Sequence, residues 1–152
     1  MRVTARVDYA VRAATGLALV HPGTLTADAI ADQRGLPLAF TKQILARMRR
    51  AGIVAAQRGG DGGYRLGRPP EDLSVADVVR AVEGPLADVR GEPPEDLDYP
   101  GEAGEVLRAL WIATRVSLRS VLEHVTLADL AKGALPPRVD ALTEQPGAWH
   151  RR

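Results

Sequence analysis

The sequence has no cysteine, no apolar run long enough to cross a bilayer, and no acidic residue between Pro37 and Arg50. Without cysteine there is no disulfide framework, no thiolate nucleophile, and no cysteine-held zinc or iron–sulfur cluster. Arg2, Arg6, Asp8 and Arg12 interrupt the first apolar segment, which argues against a transmembrane helix and a secretory signal, so a cytoplasmic location with no membrane partner is expected. The chemistry expected of an enzyme is also missing. His21, His124 and His150 are far apart, and the acids of 88–98 have no convergent base or nucleophile, so neither a catalytic nor a metal site is expected.

What is present is a chain of 152 residues, enough for one modest core or two small lobes. Its net charge of +1 hides a division. Residues 1–68 carry 11 basic and 4 acidic side chains, and the rest carry 9 and 15. A basic first half suits an anionic partner, whereas an acidic second half points to a separate task.

Apolar residues at Val3, Val7, Ala10, Val11, Ala14, Leu17 and Ala18 predict a helix over 3–20, stopped by His21-Pro22-Gly23. Thr26 can cap a second helix that buries Ile30 and Ala31 and ends at Gly35. Phe40, Ile44, Leu45 and Met48 set the stripe of a third, ending at Ala51-Gly52. Three short helices with an abrupt turn between the second and third outline a helix-turn-helix. Ile53–Ala56 then reads as a strand, Gly59–Gly63 as a turn and Tyr64–Leu66 as the returning strand, forming a wing that must lie against the helices to persist.

Ser74 and Asp77 predict a capping box opening helix 75–83, with Leu73 and Val78 as its staple. These elements define a winged-helix unit over 1–85. Residues 86–100, rich in acids and proline, read as a linker open to disorder. The stripe Ala103, Leu107, Leu110, Thr114, Leu118, Val121 and Val125 then predicts a helix of roughly 24 residues, with a short capped turn at 126–130, together spanning 101–131. So long an apolar face needs another apolar face to cover it, and a second copy of itself is the cheapest source, which makes Leu107, Leu110, Thr114, Leu118, Val121 and Val125 the candidate dimerisation residues. Trp111 reads as a packing residue, and 132–152 as a tail tied down by Leu135, Val139, Leu142 and Trp149. No internal repeat stands out.

The third helix has the richest chemistry. Its outer face carries Ala39, Lys42, Gln43, Arg47 and Arg50. A merely solvated face would mix in acids. Lys42 can donate to guanine, Gln43 can pair with adenine, and the Ala39 methyl can meet that of thymine. Arg47, Arg49 and Arg50, further along, suit phosphates. At the wing, Gly59, Gly60, Gly62 and Gly63 permit close backbone approach, and Arg58 suits a narrow minor groove, although a flexible turn with an exposed arginine has the same composition. The order of residues is not that of a nucleotide-binding phosphate loop.

The run Gly35-Leu36-Pro37-Leu38-Ala39-Phe40-Thr41-Lys42-Gln43-Ile44-Leu45, the segment Met48–Val54 and the motif Arg58-Gly59-x-x-Gly62-Gly63-Tyr64-x-Leu66 resemble the iron–sulfur and redox family of bacterial winged-helix regulators. That family includes IscR, NsrR and CymR. The resemblance extends through Leu73–Gly84 and Leu107–Leu130. It implies a mainly α, winged helix-turn-helix fold with a two-stranded wing and a long C-terminal dimerisation helix. The implied function is that of a homodimeric repressor on a partly palindromic double-stranded operator.

The resemblance places base-reading positions at Pro37, Ala39, Lys42 and Gln43, with Arg58 in the minor groove. In the cluster-assembly regulator Lys42 is replaced by glutamate and Ala39 by serine, so the operator is expected to differ. Cluster-binding members use three cysteines in the loop before the long helix. Residues 86–104 here contain neither cysteine nor histidine, and Asp8, which matches an acidic ligand of the nitric-oxide sensor, is placed to pair with Arg12. No cofactor is therefore expected, and a small-molecule or protein effector is the remaining class of signal. A winged-helix protein-interaction module is the alternative function. Protein produced with an intact cluster-assembly system should contain no stoichiometric iron or acid-labile sulfide, and its DNA affinity should not change with air, reductant or chelator. Iron, sulfide and visible absorbance analysis with parallel titrations checks this.

Overall fold

The computed structural model describes residues 3–59 and 62–150. Helix α1 (Ala5–Val20) is central, with α2 (Ala27–Arg34) and α3 (Leu38–Arg50) packed against it. Strands β1 (Val54–Gln57) and β2 (Gly63–Leu66) pair antiparallel, with Val54 opposite Leu66 and Ala56 opposite Tyr64. Helix α4 (Val75–Glu83) closes the lobe, followed by α5 (Gly104–Leu122), α6 (Leu127–Lys132) and α7 (Pro137–Thr143). Two 3₁₀ turns, Pro70–Asp72 and Pro94–Asp96, lie in the connections. This is the expected mainly helical winged helix-turn-helix. No described helix is long and apolar enough to cross a membrane.

The helix starts follow from local chemistry. Thr4, Thr26, Ser74 and Thr126 each accept a hydrogen bond from the backbone N–H three residues on. Val3 precedes α1 and is 65% exposed, so the inward stripe begins at Val7 rather than at Val3. Alanines at 10, 13, 14 and 18 with Leu17 give α1 a narrow buried face, allowing neighbouring helices to approach closely. Ile53 is buried but lies just before β1, where its N–H donates to Met48 O at 2.9 Å and its carbonyl accepts from Gly67 at 2.9 Å. These bonds fasten the wing to the end of α3.

The two capping boxes are joined. Val75 N–H donates to Val125 O and Leu127 N–H to Leu73 O, both at 2.8 Å, bringing Ser74 and Thr126 together as an antiparallel bridge. Leu73-Ser74-Val75-Ala76-Asp77-Val78 and Val125-Thr126-Leu127-Ala128-Asp129-Leu130 thus meet through the same capping pattern. Leu73, Val78 and Leu127 are fully buried around the junction. The Thr126 backbone N–H, and then its hydroxyl, hold the Asp129 carboxyl below its ordinary range.

Residues 86–100 are packed against α5 rather than hanging as a bare linker. Leu86 and Leu97 are buried, and Glu95 pairs with Arg115 at 2.5 Å. The backbone first, and Arg115 second, lower the Glu95 pKa. The long helix is shorter than expected, 19 residues against roughly 24, because the chain leaves α5 after Leu122. Val125, expected on the dimerisation stripe, lies past the end of α5 and is only 4% exposed, packed into the core with Val75 and Val139. The expected tail contains α7, whose Val139 is buried, while Leu142 and Trp149 are exposed. Trp111 is half-buried.

Thr126→Ala should destabilise the fold by about 1 kcal/mol through loss of a cap. Asp129, with its pKa lowered, contributes stability that is complete above its ordinary value of 3.8 and is lost as the pH falls through the lowered one. Asp129→Ala should therefore lower stability at neutral pH and weaken its loss on acidification. Denaturant titrations at several pH values read both effects.

Candidate nucleic-acid interface

Helix α3 is held by its inner face. Thr41, Ile44, Leu45 and Met48 are buried, and Phe40 meets Tyr9 edge-on with ring centroids 5.8 Å apart. Thr41 was not among the residues expected inside, yet it is fully buried, and its hydroxyl donates to Pro37 O at 3.1 Å. A threonine four residues after a helix-starting proline is the local signal, since its hydroxyl can be satisfied by the preceding turn. The turn before α3 depends on Gly35, whose φ of 61° is left-handed and whose N–H closes the end of α2.

The outer face is open. Pro37, Ala39, Lys42, Gln43, Arg47, Arg49 and Arg50 are all exposed, so the structure brings the expected residues of the helix onto one solvent-facing surface. Ala46, which the sequence did not single out, is exposed among them. Arg58 and Gly59 are exposed on the wing.

The wing is more than a two-stranded hairpin. Leu25, just before α2, exchanges backbone hydrogen bonds with Tyr64 at 2.9 and 2.8 Å, adding an edge pairing that the sequence did not reveal. Gly63 makes room for it, because a Cβ there would stand 2.6 Å from Leu25 O. Gly62 N–H donates to Gly59 O at 2.9 Å, and a Cβ at 62 would stand 2.7 Å from that oxygen. Both glycines thus serve close backbone approach. Gly60 and Asp61 of the expected turn lie outside the described residues.

Charge is segregated. Among the described residues, the ion pairs join Arg6 to Glu83, Arg12 to Asp8, Arg68 and Arg80 to Asp77, Arg80 and Arg119 to Glu123, Arg108 to Glu105, and Arg115 to Glu95. None involves Lys42, Arg47, Arg49, Arg50, Arg58 or Arg65. Among the described residues, the cations of α3 and the wing therefore present a positive surface without carboxylate partners, while those of α1, α4 and α5 are paired.

The donor set does not fit an iron–sulfur cluster. There is no thiolate in the sequence, and the described residues contain no group of three or more metal-ligating side chains. Asp8 is paired with Arg12 at 3.3 Å, and the segment before α5 presents carboxylates, of which Glu95 is paired with Arg115. Soft thiolates are what a cluster requires, and hard carboxylates are no substitute.

The profile of the Rrf2 family, described as an iron-dependent transcriptional regulator, matches residues 3–133. The chain is 45% identical over 145 residues to the HTH-type regulator Rv1287 of Mycobacterium tuberculosis, covering 95% of this chain and 89% of that one. It is 33% identical over 132 residues to the HTH-type transcriptional regulator CymR of Bacillus subtilis, covering 86% and 90%. The solved structure of CymR, the global cysteine regulator of B. subtilis, superposes with a TM-score of 0.74 at 30% identity over 88% of this chain and 98% of that one. IscR of T. potens gives 0.70 at 30% identity over 99% and 97%. Helix-turn-helix, wing and family match coincide on the same residues: this chain belongs to the Rrf2 family of helix-turn-helix transcriptional regulators, as a cysteine-free member.

Proposed function

We propose that the protein is a dimeric, sequence-specific repressor that binds a partly palindromic double-stranded operator in the cytoplasm and works without an iron–sulfur cluster. The observation that carries this reading is the acid-free outer face of α3 beside the wing, whose cations have no carboxylate partner among the described residues. Such a face is costly to a folded domain through self-repulsion and is stabilised by polyphosphate. Helix α3 enters the major groove, with Pro37 and Ala39 at its leading end and Lys42 and Gln43 on base edges. Arg47 and Arg49, on opposite flanks of the exposed face, meet the groove walls. Arg58 enters the minor groove, where Gly59 and Gly62 let the backbone come close.

Dimerisation follows from α5. Val106, Leu107 and Leu110 are 71%, 39% and 51% exposed, and Thr114, Leu118 and Val121 continue their stripe half-buried. Nineteen residues rise about 28 Å, too long an apolar strip for solvent. A second copy supplies the matching strip, and its two-fold axis presents two α3 helices to one duplex.

The operator should be found by selecting bound genomic fragments with the full-length protein. Its affinity should fall steeply with salt as phosphate contacts release counterions. Lys42→Ala and Gln43→Ala should each reduce discrimination among single-base operator variants by about 1–3 kcal/mol, whereas Arg49→Ala should weaken all sequences alike. No preference for selected over random DNA in competition titrations would overturn the reading and favour a protein partner.

Replacing Leu110 and Leu118 together with serine should halve the mass measured by light scattering and weaken operator binding, while the circular dichroism of the winged-helix lobe persists. A monomeric unaltered protein at micromolar concentration would refute the dimer.

A further inference from the structure

Ala39, Gln43, Ala46 and Arg50 succeed one another at intervals of four, three and four residues, so at about 100° per residue they lie along one meridian of α3. That meridian is opposite Thr41 and Met48, both fully buried, and is therefore the line most directly turned away from the protein. Lys42 and Arg49 fall on one side of it and Arg47 on the other.

Arg50 stands at the end of the helix, a position that by sequence alone suits a phosphate. Its side chain does not reach outward from that end. The Nε–H donates to Ala46 O at 3.4 Å, bringing the side chain one turn back toward the N-terminus, the direction helical side chains favour. Residue 46 is an alanine, so no longer side chain occupies the space beside it. Among the described residues no carboxylate pairs with the Arg50 guanidinium. Read from the N-terminus, the meridian presents a methyl, a planar amide, a second methyl and a planar guanidinium. Each has a partner among base edges: methyls suit thymine, the amide suits adenine, and the guanidinium fork suits O6 and N7 of guanine.

We propose that Arg50 reads a guanine in the major groove and is a specificity-determining residue rather than a backbone anchor. This rests on the operator-binding reading of α3 and deepens it by naming a base for each half-site. Arg49, one residue away but displaced toward the Lys42 flank, is the neighbouring phosphate contact and the natural control.

The test uses the full-length protein and its Arg50→Ala, Arg50→Lys and Arg49→Ala variants. Each is titrated against the operator selected by the unaltered protein, and against every single-base change in one half-site, at several salt concentrations. Arg50→Ala should lose roughly 5- to 150-fold on the operator and almost nothing on the fragment whose guanine has been replaced. Arg50→Lys should fail to restore the discrimination, because an ammonium lacks the fork. The slope of log affinity against log salt should stay near that of the unaltered protein for Arg50→Ala, and shrink by about 0.9 per lost contact for Arg49→Ala. Thermal melts confirm that each variant is folded. A uniform loss over all fragments, a shrunken salt slope and rescue by lysine would make Arg50 a phosphate contact and overturn the proposal, as would no loss at all. If the unaltered protein itself does not discriminate its selected fragment from random DNA, the operator reading fails, a result separate from any Arg50 effect.

Discussion

The close packing of α1 is the constraint on which the other elements depend. Ala10, Ala13, Ala14 and Ala18 are buried together with Gly16 and Leu17, and no larger set of side chains on this helix would let α2, α3, α4 and α6 all reach it. The core is consequently a set of leucine, isoleucine, valine and methionine side chains from the outer elements converging on a thin central rod. Ile44, Leu45 and Met48 of α3 are anchored there, which fixes by helical geometry where the opposite face points.

From that geometry comes the division of charge. The basic excess of the first half is not spread evenly over the fold. Cations on α1, α4 and α5 are matched by Asp8, Asp77, Glu83, Glu95, Glu105 and Glu123, whereas α3 and the wing are left unmatched among the described residues. Surface ion pairs of this kind contribute little stability each. Their consequence is electrostatic focus, since a field left uncancelled on one side of a small domain draws a polyanion to that side.

The junction between Leu73–Val75 and Val125–Leu127 ties the C-terminal half to the winged-helix lobe. Two capping boxes joined by two backbone hydrogen bonds fix the end of α5 relative to α4, and Arg80 reaches Glu123 across the same joint. A displacement of α5 is thereby coupled to the lobe carrying α3 through short bonds rather than through a loose connection. The absence of thiolates leaves this mechanical link intact while removing the soft donors that iron–sulfur chemistry needs.

Wherever a feature depends on neighbours a few residues away, it was legible in the sequence. The caps at Thr26 and Ser74, the stop at Gly35, the inner stripe Ile44–Leu45–Met48 and the acid-free outer face all follow from local hydrogen bonding and helical periodicity. What depends on distant partners was not. Val125 continues the spacing of α5 but is claimed by Val75 and Val139, because the bridge to Leu73 turns the chain before the helix reaches it. Residues 86–100 look like a linker by composition, yet Leu86 and Leu97 are buried and Glu95 meets an arginine twenty residues on. The pairing of Leu25 with Tyr64 and the room left by Gly63 likewise arise only when the chain is folded. Periodicity determines which face of an element is apolar, and only tertiary packing decides which partner covers it and where the element must end.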